Sequence, residues 1–245
     1  MPVQRTVLLP AVAFRQAWDW EIRADPPTAL GRNDHWLSSE AKRQLEDKTL
    51  DVLAAVGLAA GGTLVREFRD TLATLANGHR FSAYVGDVHN DRTGTAVVAA
   101  SGPVAVRAIC ANDLVRIDPV RPEAVVEALI EVLPAMSPAR LDPLAIPKSR
   151  YRPDGPVRSE HYEFSMSGQP QRDPAERPRA LMAAPRLGLH QLYAGKDDPV
   201  TVIDVAGEGR VITFVTTAPR EEPKVHFLPG TRDHLVGALT GRTAA

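Results

Sequence analysis

The chain has 245 residues, of which 44% are hydrophobic and 24% charged, a balance that excludes disordered, collagen-like and coiled-coil classes. With 29 Lys+Arg against 30 Asp+Glu, the charge gives no reason to expect nucleic acid or an anionic membrane as partner. The single cysteine, Cys110, excludes an internal disulfide framework and any multi-cysteine metal cluster. No run approaches the ~20 apolar residues of a membrane span. The first apolar stretch, Val7 to Leu9, is cut by Pro10, too short for the roughly 7–15 residues of a secretory signal. Cytoplasm is the expected compartment. Prolines (21) outnumber glycines (17), and their distribution bears on the architecture.

Residues 6–9 read as a short strand. Phe14, Trp18 and Ile22 fall at i, i+4 and i+8, one stripe of a helix with Trp20 off it and half exposed. Asp25-Pro26-Pro27 stops that helix. Ser38 is placed to cap a second helix with Glu40 in its first turn; Ala41, Leu45, Val52, Leu53 and Val56 form its stripe, and Gly57 ends it. Gly61-Gly62 is a turn. Leu64, Phe68, Leu72 and Leu75 define a third helix that Asn77-Gly78 closes.

The period then changes to two. Residues 81–88, 95–100, 104–111 and 114–117 read as strands, and their short separators require antiparallel hairpins. Pro119 and Pro122 precede a helix with Val126, Leu129, Ile130 and Leu133 on one face. Residues 134–186 collect ten prolines without sustained periodicity, and 149–173 has the composition of a partly mobile linker. A short helix is expected near 175–182. Strands follow at 189–193, 200–205, 210–216 and 224–228, and Thr231 caps a last helix carrying Leu235, Ala238 and Leu239.

Two stretches, beginning TAVVAASGPVAVRA and VTVIDVAGEGRVITF, share one layout: strand, tight turn, strand, polar turn, strand, proline, helix. That layout points to an internal repeat of two sheet-plus-helix units.

No catalytic motif is present. Asp87-Val88-His89-Asn90-Asp91 is the densest group of potential metal ligands, yet Asn-Asp favours a hairpin end and a metal needs a further supported ligand set. Gly207-Glu208-Gly209 lies between strands and lacks the helix N-terminus that holds a phosphate. Cys110 sits in an apolar strand as an inert thiol. The histidines (His35, His79, His89, His161, His190, His226, His234) are scattered, with His226 and His234 read as surface or capping residues. Arg150, Arg152 and Arg158 are interrupted by acids, as in a solvated segment. No catalytic residue, metal or cofactor is expected.

The order of features resembles the EspG family, accessory proteins of type VII (ESX) secretion in actinobacteria. The residues that carry the resemblance are the Trp18 helix, Pro26-Pro27, LAAVGLAAGGTL, REFRDTLATLANG, TAVVAASGPVAVRA, VRIDPVRPEAVVEALIEVLP, RALMAAPRLGLHQLYA, GRVITF and FLPGTRDHLVGAL. The resemblance implies a mixed α+β fold of two quasi-twofold-related halves, each an antiparallel sheet packed with helices. It also implies a cytosolic, non-enzymatic chaperone that binds a helical secretion substrate (PPE-like, or another helical hairpin such as a WXG100-like protein) and keeps it soluble for export. Nucleic acid and membrane are not expected partners, and pairing with a second copy stays open. The family carries no strict binding motif, so partner-binding positions are placed by topology: Tyr84, Asp87, His89, Asn90 and Arg92 on the 84–92 hairpin, and Thr213 and Thr216 on a later strand. The expected domains are 1–140, a proline-rich join at 141–186, and 187–245, forming one compact unit. The alternative is a small-molecule-binding or enzymatic α+β domain with a site between the two sheets.

Overall fold

The computed structural model describes residues 1–31, 38–88, 90, 92–151 and 174–241. His35, His89, Asp91, His161 and most of the 149–173 segment lie outside the described residues. The chain divides into two compact units: Met1–Gly86 with Arg92–Pro134 and Leu192–Asp197, and Asp87–Asp91 with Ala135–Gln191 and Asp198–Ala245.

In the first unit, strand β1 (Val7–Pro10) leads directly into helix α1 (Ala11–Glu21). Pro10 fits this corner because its missing N–H falls where neither element needs a donor. Phe14 and Trp18 are wholly buried, with ring centroids 6.1 Å apart, while Trp20 is exposed. Helix α2 (Ser39–Ala55) begins at the expected cap: the Ala41 N–H donates to Ser38 Oγ at 3.3 Å. Gly61 and Gly62 (φ 58° and 76°) make the two-residue turn between strands β2 (Ala59–Ala60) and β3 (Thr63–Leu64), where both central positions need positive φ. Helix α3 (Arg66–Asn77) buries Phe68, Leu72 and Leu75. On the same helix, Thr71 Oγ1 accepts the Val3 N–H at 3.0 Å and anchors the N-terminal segment.

Strands β4 (His79–Asp87), β5 (Arg92–Ser101), β6 (Val104–Ala111) and β7 (Leu114–Val120) form the meander, and β1 pairs antiparallel with β7. Strand β7 runs three residues beyond the expected Ile117 and includes Pro119, opposite Val106. It can do so because β1 pairs only as far as Ile117, leaving that side of Pro119 without a ladder partner. A 3-10 turn, Pro122–Ala124, precedes the short helix α4 (Val125–Ile130). Val126 and Leu129 face inward as expected.

In the second unit, strand β8 (Leu144–Pro147) and helix α5 (Glu176–Ala183) fall inside the proline-rich stretch read as a join. Pro147 is tolerated because β8 is an edge strand, paired only with β12 (Lys224–Pro229). Strands β9 (Arg186–Ala194), β10 (Val200–Val205), β11 (Gly209–Thr216) and β12 follow in order, then helix α6 (Arg232–Thr240). Thr231 caps α6 by accepting the His234 N–H at 3.2 Å.

The two units therefore share one connectivity. Each has a first strand, a helical segment (three helices in the first unit, one in the second), a four-strand meander whose last strand pairs back to the first, and a closing helix. Each also sets an arginine directly opposite an aspartate across neighbouring strands, Arg107 with Asp118 and Arg210 with Asp204. The repeat seen in the sequence is thus a repeat of topology. The fold is mixed α+β with antiparallel ladders, as the sequence implied.

Candidate functional site

Tyr84 lies on β4, half-buried, its ring edge-on to Tyr193 with centroids 5.8 Å apart. Burial, with a smaller contribution from Tyr193, pushes its phenol above the usual value. Asp87 ends β4 and closes the hairpin: its carboxylate accepts the Asn90 N–H at 3.0 Å and the Asn90 side-chain N–H at 2.7 Å. That is an Asx-type turn, with Asp87 and Asn90 already satisfying each other. Arg92 opens β5 and is exposed.

Thr213 and Thr216 point to opposite faces of β11, since strand residues an odd number apart alternate. Thr216 shares a 2.7 Å hydrogen bond with His226 Nε2. The His226 ring stacks flat on Phe214, 1° between planes at 4.7 Å. Burial and the neighbouring Lys224 hold His226 below the usual imidazole range. Thr213 belongs to the other face, opposite Thr201 and Phe227 in register.

The most buried polar group of the second unit was not singled out by the sequence. Arg210 donates to Asp204 through Nε (2.7 Å) and a terminal nitrogen (2.8 Å), and His190 Nε2 lies 3.1 Å from the same carboxylate. All three side chains are almost wholly buried. Burial alone would raise Asp204; the hydrogen bonds from Arg210 and His190, then their charge, outweigh it and hold the carboxyl below the usual range. The signal was present as one carboxylate inside the apolar run VTVIDV, a place that demands a cation.

This cluster distinguishes the two faces presented by strands β10 to β12. Asp204, Arg210 and Lys224, the charged residues of β10 to β12, share one face by register. The other face carries Ile203, Val205, Val211, Val225 and Phe227, buried beneath Ala175, Leu181 and Tyr151. Beyond that cover, the same face is open: Val215 is exposed and Thr201 and Thr213 are partly so. Leu187 and Leu189, on the side of β9 opposite His190, are 38% and 39% exposed. At the hairpin end, exposed Val88 donates its N–H to the Leu187 carbonyl at 2.9 Å. This side of β9 to β11 thus exposes Leu187, Leu189, Gln191, Thr213 and Val215 without a charged side chain among them. Of the positions expected from sequence, Thr213 sits on it.

The first unit holds a groove of about 410 Å3 lined by Trp20, Glu21, Leu50, Gly62, Thr63, Leu64 and Arg69. Among the described residues no three His, Cys, Asp or Glu side chains gather as a metal site. No described helix is long and apolar enough to cross a membrane.

Comparison with known proteins places these features. No curated protein matches the sequence. The fold is similar to that of EspG5, the type VII secretion system chaperone of Mycobacterium tuberculosis, solved in complex with the PE25–PPE41 dimer. The TM-score is 0.66 at 13% identity, covering 96% of this chain and 94% of that one. The EspG family model matches residues 10–241, and the chain belongs to the EspG family.

Proposed function

We propose that this protein is a cytoplasmic, non-enzymatic type VII secretion chaperone that binds a helical PPE-like substrate and keeps it soluble for export. The observation that carries this reading is the family match across residues 10–241. A fold similar to that of EspG5, itself seen bound to a PE–PPE dimer, supports the choice of partner class. The docking surface is the open face of the second unit, where Leu187, Leu189, Thr213 and Val215 present apolar area without charge. A helical secretion substrate exposes an apolar stripe that aggregates unless covered, and an uncharged sheet face covers it at little desolvation cost.

Co-expression with a PE–PPE-type helical dimer tests the reading: a stable complex is expected, and Leu189→Asp should weaken it at least tenfold while the chaperone stays folded. Recovery of the chaperone alone, with the dimer equally soluble in its absence, contradicts it.

A further inference from the structure

Strand β9 presents an anomaly. Its buried row is Gly188, His190 and Leu192, and its outward row begins with Leu187 and Leu189. Leu187 and Leu189 therefore face out with Gln191, while Gly188 and His190 face in with Leu192. Apolar burial alone does not select this face; a one-residue slip of pairing would exchange the two rows entirely. Something other than the hydrophobic pattern must hold β9 as it is.

Among the described residues, the strong side-chain polar contact of the inward row is that of His190. Its Nε2 sits 3.1 Å from Asp204 Oδ2 on β10, and Arg210 of β11 holds the same carboxylate from the other side. His190 Nδ1 is buried without a hydrogen-bond partner among the described residues, so the ring pays for its position through one nitrogen alone. Arg210 is itself fixed from behind. Its N–H donates to the Ser137 carbonyl at 2.7 Å, and its carbonyl accepts from Ala139 and Gly230 at 2.9 and 2.8 Å. Gly230 packs so closely that a Cβ there would lie 2.1 Å from Arg210 Cγ. The acceptor offered to His190 is thus held by a fixed arginine, and a one-residue slip of β9 would turn His190 away from it.

We propose that the His190–Asp204–Arg210 cluster is a register lock that holds Leu187 and Leu189 outward as docking side chains for an apolar partner helix. The lock follows from the geometry of β9 to β11; its use in docking rests on the chaperone reading. Buried ionic clusters contribute little net stability compared with apolar replacements, and their best-attested role is to fix register. His190, Asp204 and Arg210 are positioning residues, acting through the two leucines.

Thiol labelling reads the lock without any partner. In a Cys110→Ala background, Leu189→Cys should react rapidly with a maleimide. Adding Asp204→Leu with Arg210→Met removes both charges together and strands His190, so Leu187 and position 189 should turn inward and labelling should slow at least tenfold. Adding His190→Leu to that variant should restore fast labelling, because the inward row then carries its own leucine; a merely structural cluster predicts no such rescue. Unchanged labelling in the folded Asp204→Leu/Arg210→Met variant overturns the lock. Amide exchange in the unmodified protein is a second measurement free of folding risk: residues 187–191 should be protected as well as β10, and free exchange there also overturns it. If labelling follows this pattern but no PE–PPE-type dimer binds, the lock stands and the chaperone reading fails. If the dimer binds but labelling ignores the cluster, the reverse holds.

Discussion

Asp204 makes acid sensitivity a residue-scale property of this protein. Its carboxyl is held below the usual value by Arg210 and His190, so the folded state binds that proton less readily than the unfolded chain does. The resulting stability is complete above the unfolded value near 4 and is lost as pH falls through the folded one. Chemical denaturation should show stability declining below about pH 4, with a shallower decline in Asp204→Asn. Asp204→Ala strands the Arg210 guanidinium in the interior and should cost about 3–5 kcal/mol at neutral pH. At Gly230, a methyl group has no space beside Arg210 Cγ, so Gly230→Ala should lower stability by about 1–3 kcal/mol through overpacking, visible as a lower Tm.

At the scale of elements, the sheet faces decide what can dock. Val215→Asp puts a charge on the open side of β11 and should leave stability within about 0.5 kcal/mol, as surface changes do, while weakening partner capture in a pull-down. Thr216→Ala should not weaken capture, because Thr216 lies on the reverse face with His226. How much was legible in the sequence follows the same division. Helices α1 to α3 and α6 announced themselves through apolar stripes and caps, since Ser38 and Thr231 supply local signals. The meanders announced themselves through period two and tight turns. Strand β8, and the extension of β7 through Pro119, were hidden, because proline argues against a strand until the unpaired side is known. Leu187 and Leu189 were hidden for a different reason: period two shows that residues alternate but not which row faces in. That choice depends on a contact to Asp204 on another strand.

For the whole molecule, the repeated connectivity gives each unit its own core and its own cross-strand Arg–Asp pair. The prolines that first stood out mark corners and edges in this plan, at Pro10, Pro119 and Pro147. On the proposed chaperone reading, the uncharged sheet face of the second unit holds a helical secretion substrate. Titration calorimetry of the full chain against a purified PE–PPE-type dimer tests it most directly. A saturable complex is expected, with affinity at least tenfold lower for Leu189→Asp and unchanged for Thr216→Ala. No binding heat across substrate dimers of this class, or equal affinity for Leu189→Asp, would contradict it.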